Sequence, residues 1–179
     1  MKKSKKILER RKKLLEILKS IIFFNILAIP MYLVIYSNFS LPELQIFLSS
    51  CIANTLKALG YPVTQTGYFL WMGFPSEKEI ILQKFEITFD CTGWKSMYAL
   101  AALAIATPKI DKRKKIKFIA IALPLIFFIN FLRITTTLIF TYHLGYEYLS
   151  VVHNFLWREG LIFAILIIWF LWLKKENII

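Results

Sequence analysis

Charge is scarce in this chain and unequal in sign. Of 179 residues only 19% are charged, with 11 acidic side chains against 23 basic ones. Glycine and proline number six each, cysteine two and histidine two. Each shortage excludes a class. So little Gly and Pro rules out collagen-like and low-complexity chains, and two cysteines rule out a disulfide-stapled secreted scaffold. With two His and two Cys in all, a four-ligand metal site is not expected. HExxH pairs, phosphate-cradling glycine loops and carboxylates paired for glycosidic chemistry are missing as well. What is abundant is apolar: 58% hydrophobic residues, 16% aromatic, and a mean hydropathy of +0.58. A soluble domain carries about 45–50% apolar and about 25% charged residues. This is the composition of a small integral membrane protein, one domain long.

The net charge of +12 raises the question of nucleic acid, and its distribution answers it. Nine of the 23 basic residues lie in Met1–Lys19, six in Lys109–Lys117 and two at Lys174–Lys175. The rest are Lys57, Lys78, Lys84, Lys95, Arg133 and Arg158. The blocks alternate with apolar runs, which is the positive-inside pattern of a polytopic membrane protein and not a readout surface. No nucleic acid partner is expected. The basic segments are expected to face the cytoplasm and anionic headgroups.

A helix needs roughly 20 apolar residues to cross a bilayer. Ser20–Pro42 is free of charge, Cys91–Pro108 is broken only by Lys95, and Phe118–Gly145 only by Arg133, with Pro124 as a site for a kink. Gly160–Leu173 is short, so its helix is expected to begin upstream, near Leu149–Phe155. A cleaved signal peptide does not fit the long basic start. Leu41–Gly60 carries Glu43, Gln45, Asn54 and Lys57 and reads as an amphipathic helix. Charge arithmetic decides its place: four crossings put all three basic blocks on one side, whereas a fifth would invert the last two. The expectation is therefore an all-α polytopic protein in the plasma membrane with four transmembrane helices (20–40, 91–108, 118–142, 157–173). The basic tail 1–19, the loop 109–117 and the tail 174–179 are cytoplasmic, and both termini with them. The amphipathic segment 41–60, a small hairpin within 61–90 and the loop 143–156 lie outside. The hairpin rests on the period-two alternation of Leu82, Lys84, Glu86 and Thr88 against Gln83, Phe85, Ile87 and Phe89. Tyr68–Met72 is its expected partner across the loop Gly73–Glu79.

This topology gathers three reactive groups on the outer side. Arg133 in the third helix is expensive in lipid and should face the protein interior or a cleft; snorkelling along its own stem is the alternative. Asn130 and Thr137 share its face. Cys91 stands where the hairpin meets the second helix, followed by Thr92, Gly93 and Ser96. A helix N-terminus and nearby Lys95 favour a thiolate there, with Asp90 opposing. Against a nucleophile stand an inert buried thiol and a disulfide to Cys51, which itself reads as a bland small hydrophobe. His153, before the last helix, can fold over the cleft, while His143 marks the membrane surface. Together a thiolate, an imidazole and a guanidinium suit acyl transfer at a carbonyl. The rival reading is a non-enzymatic membrane scaffold or small transport component with a structural buried Arg.

At these residues the chain resembles the exosortase/archaeosortase family of membrane cysteine transpeptidases. Cys91–Ser96 reads C-T-G-W-K-S, fitting C-[ST]-G-x-x-S. Asn130–Arg133 reads N-F-L-R, fitting N-x-x-R, and His153 precedes the last helix. The resemblance spans roughly Leu59 to Leu173. It implies an enzyme, without cofactor, that recognises secreted proteins ending in a short motif, a transmembrane helix and a basic tail. Such an enzyme cleaves near the motif at the outer face and, in the archaeal branch, passes the new C-terminus to a membrane lipid. By position it makes Cys91 the nucleophile, Arg133 the oxyanion or orienting group and His153 the general acid/base, supported by Thr92, Gly93, Ser96 and Asn130. Many members have more transmembrane helices, so this chain resembles a pared-down core of the family.

Overall fold

The computed structural model describes residues 2–75, 80–146, 149 and 160–178. Helix propensity carries further along the first segment than charge would allow. Helix α1 runs from Lys2 to Tyr36 without a break, through Pro30. The basic stretch expected as a tail is therefore helical, because Lys, Arg, Leu and Glu are all strong helix formers. The chain leaves α1 at Asn38, which takes a left-handed φ of 50°.

Pro42, with its preset φ, opens α2 (Pro42–Ala58). This helix buries Gln45, Leu48, Ser49, Ile52, Ala53 and Leu56, a three-and-four spacing that makes one face. The expected hairpin is a sheet of three antiparallel strands, in the order β1 (Val63–Thr66), β2 (Phe69–Pro75), β3 (Ile80–Glu86). Gly67, at φ +61°, turns β1 into β2, and the register of β2 on β3 pairs Phe69 with Glu86 and Pro75 with Ile80. Strand β2 thus runs three residues into the expected loop Gly73–Glu79, while β3 starts directly after it. From Leu82 to Phe89 the alternation holds: Gln83, Phe85, Ile87 and Phe89 are the more buried set.

A 3-10 turn, Phe89–Thr92, follows the sheet, and α3 begins only at Trp94 and ends at Ala106. The expected helix from Cys91 to Pro108 is shortened because Gly93 takes φ +77° at its start and Thr107 is extended before Pro108 at its end. Helix α4 runs from Lys112 to Leu144, continuous through Pro124. It starts six residues before Phe118 because the Asp111 carboxylate caps it, accepting from the Arg113 N–H. Most of the expected basic loop is thus its first turns. Helix α5 covers Gly160–Lys175; the upstream start expected for it lies outside the described residues.

Helix α4 belongs to two cores. Its first half packs on α3 and α5 through Leu100, Ala122, Ile126 and Ile165, with Phe118 stacked on Trp172 at 4.1 Å between ring centres. Its second half, with Ile134 and Leu138, packs beneath α2 and the sheet against Leu48, Ile52, Leu70 and Met72. Helix α1 lies along α3, and Tyr98 donates its hydroxyl to the Leu27 carbonyl at 2.6 Å. At the basic end Lys109, in the loop before α4, pairs with Glu16 of α1, and Lys114 of α4 pairs with Glu176, just past α5. Among the described residues, two helices are long and apolar enough to cross a membrane, Leu14–Tyr36 and Lys112–Leu144. Ile21, Ile29 and Leu33 of α1 and Ile162, Ile167 and Leu171 of α5 stand exposed, an apolar surface suited to lipid.

Candidate functional site

The two cores of α4 meet at the level where the 3-10 turn crosses it. Cys91 sits in that turn, half-buried and free, packed against the core beneath the sheet. Its own N–H is held by the Thr88 carbonyl at 2.9 Å, and its sulfur lies 3.2 Å from Thr88 Oγ1. Its carbonyl accepts a hydrogen bond from Asn130 Nδ2 at 2.8 Å. Asn130 is fully buried, and Gly93 is packed so closely on it that a Cβ there would lie 2.9 Å from Asn130 Cγ. Glycine is required twice over, by the positive φ and by this approach. The buried Thr92 closes the turn by donating to the Phe89 carbonyl at 2.7 Å.

One turn beyond Asn130 stands Arg133, 9% exposed, so its head faces the protein interior and does not snorkel outward. At 1.5 Å per residue it lies about 32 Å along α4 from Lys112. Its guanidinium is near enough to interact electrostatically with the Cys91 sulfur. Thr137, on the same face, donates to the Arg133 carbonyl at 2.8 Å and so serves the helix backbone.

Lys95 and Asp90, the two charges flanking the cysteine, meet each other: the Lys95 ammonium binds the Asp90 carboxylate at 2.7 Å. Cys91 does not head an α-helix, since Gly93 separates it from α3. Cys51 lies within α2 and is also free, so the two cysteines form no disulfide. Ser96 is half-buried in the first turn of α3. His153 lies outside the described residues. His143 shares a 2.9 Å hydrogen bond with the Tyr61 hydroxyl, within an aromatic group that includes Tyr142. No group of His, Cys, Asp and Glu able to hold a metal occurs among the described residues.

Two buried polar atoms beside the turn, Asn130 Oδ1 and Trp94 Nε1, have no hydrogen-bond partner among the described residues. Buried polar groups are nearly always paired, so an acceptor and a donor left over beside a thiol are atoms to account for. Asn130 was legible in the sequence; Trp94 was not, being one of five tryptophans in an apolar chain. Beside the turn, an apolar groove of about 450 Å³ opens between the end of α1 and α3, lined by Pro30, Met31, Phe89, Trp94, Tyr98 and Leu123 among others.

A family model described as transmembrane exosortase matches residues 11–173, from within α1 to within α5. No curated protein and no solved structure matches the chain.

Proposed function

The chain belongs to the transmembrane exosortase family, and from that premise we propose that it is a membrane-embedded cysteine transpeptidase acting on secreted proteins whose C-terminal signal holds a transmembrane helix. The observation that carries the reading is the meeting of Cys91 and Arg133 at one level of the fold, with Asn130 holding the cysteine's carbonyl between them. A nucleophile needs an activated thiolate and a donor aimed at the charge that develops in the transition state. The buried guanidinium supplies a fixed positive charge in a medium where such charges act strongly.

The step follows directly. The Cys91 thiolate attacks the scissile carbonyl, and Arg133 stabilises the oxyanion of the tetrahedral intermediate. Collapse breaks the C–N bond, leaves a thioester on Cys91 and releases the amine of the downstream helix, which takes its proton from His153. An acceptor nucleophile, water or the amine of a membrane lipid, gives its proton to His153, attacks the thioester and restores the thiolate. The apolar groove at Phe89 and Trp94 is a lateral entrance for the substrate's helix, which raises the effective concentration of the peptide it carries. Four crossings, α1, α3, α4 and α5, put the three basic blocks on the cytoplasmic side and the sheet outside the plasma membrane.

Co-expression with a secreted protein that ends in a short motif, an apolar helix and a basic tail tests this. Cys91→Ala, Cys91→Ser and Arg133→Ala are expected to abolish its processing while membrane insertion is retained. Normal processing by Cys91→Ala would overturn the mechanism. An inert thiol in a scaffold is separated by alkylation: Cys91 is expected to react faster than Cys51, and to lose that advantage in Arg133→Ala but not in Lys95→Ala.

A further inference from the structure

The sheet has two edges of unlike character. At one, β1 is packed against α2, with Val63 buried and Gln65 Nε2 donating to Ser49 Oγ at 2.9 Å. At the other, β3 is bonded only to β2, and among the described residues no strand lies beyond it. Its first residues, Ile80, Ile81 and Leu82, are 74%, 47% and 60% exposed.

Hydrogen bonding sets which groups of β3 point outward. The Ile87 N–H donates to the Tyr68 carbonyl at 3.0 Å, and the β2–β3 register makes those two residues partners. In an antiparallel pair, bonded and non-bonded partners alternate. Phe85, Gln83 and Ile81 therefore turn their N–H and C=O groups toward β2. Glu86, Lys84, Leu82 and Ile80 turn theirs away from it, as a row of main-chain donors and acceptors that no other strand takes among the described residues. The same phase continues to Thr88, whose carbonyl is taken by the N–H of Cys91. The open ladder ends at the nucleophile's own amide.

We propose that this edge is the docking strand for the substrate: the extended stretch just upstream of the scissile bond adds to β3 as a fourth strand. The proposal rests on the transpeptidase reading and deepens it by naming what holds the peptide. What the edge offers is main-chain hydrogen bonding, which an extended polypeptide matches and which is the usual basis of strand addition. Its continuity with the Cys91 turn says which polypeptide. A substrate that enters the membrane after its cleaved bond travels from the sheet toward α3, as β3 itself does, so the added strand is parallel. Recognition is then largely of main chain, with side-chain selection at alternate positions beside Leu82, Lys84 and Glu86.

Cross-linking tests the placement without relying on turnover. Leu82→Cys, in a Cys51→Ser and Cys91→Ala background, is co-expressed with the tripartite secreted protein bearing one cysteine at successive positions upstream of its helix, and oxidised with copper phenanthroline. Cross-links at every second position are expected; uniform or absent cross-linking overturns the proposal, as does cross-linking of two copies of this chain to each other. In the otherwise unaltered enzyme, Leu82→Pro and Lys84→Pro remove outward N–H groups that β2 does not use. Each is expected to slow processing about tenfold, as loss of a hydrogen bond in the bound complex would, and processing at the unaltered rate overturns the proposal. Alternating cross-links to a protein that is never cleaved would remove the transpeptidase reading and leave the docking strand standing.

Discussion

Gly93 is the residue on which the geometry of the cysteine turn depends. Placing an L-residue in its left-handed conformation costs about 1–2 kcal/mol. The added Cβ, 2.9 Å from Asn130 Cγ, would also displace the donor that binds the Cys91 carbonyl, worth about 1 kcal/mol more. Gly93→Ala is therefore expected to lower stability by about 2–3 kcal/mol in thermal unfolding in detergent, and to reduce processing sharply. Gly67→Ala, with φ +61° but nothing within 4 Å of its Cβ, bears only the first penalty. At this scale the sequence was a good guide to identity and a poor one to pairing. Cys91, Asn130 and Arg133 stand out as polar residues in apolar runs. That Lys95 turns to Asp90, and that Arg133 approaches the cysteine turn from another element, depend on rotamers and on inter-element packing, neither of which is written in spacing.

At the scale of elements, helix ends were the least legible feature. Reading α1 and α4 from their uncharged runs placed each start within the apolar segment, because lipid is selective about charge and helical backbone is not. Asp111 marks the true beginning of α4, so Asp111→Ala should lower the unfolding free energy by about 1 kcal/mol, read as a lower melting temperature, with processing kinetics unaltered. Strands were legible where alternation lasted. Leu82 to Phe89 is long enough for period two to emerge, and its inward and outward sets match the burial observed. Strand β1, only Val63–Thr66, is too short for a period to show, and it is recognised by its partner β2 more than by its own residues.

For the whole molecule, charge placement and architecture agree. The ion pairs Lys109–Glu16 and Lys114–Glu176 gather at one end, and the sheet and α2 cover the other half of α4. In a Cys51→Ser, Cys91→Ala background, Lys84→Cys should be labelled in intact cells by a membrane-impermeant maleimide, and Arg113→Cys only after permeabilisation. The reverse pattern would turn the protein over in the membrane. The division of α4 between two cores was not visible in its sequence, since apolar residues facing lipid, α5 or the sheet look alike.

Helix α3 has 13 residues and so reaches about 20 Å, against a hydrocarbon slab about 30 Å thick. On the proposed topology, in which α3 crosses, lipids beside it must compress, tilt or part to meet so short a wall. On the same reading the thiol at its upper end gains contact with water from above while the substrate's helix is still surrounded by acyl chains. Bilayer thickness would then be a control on the proposed chemistry: thicker sterol-rich or long-chain lipid would submerge the nucleophile, and thinner lipid would bring it to the surface.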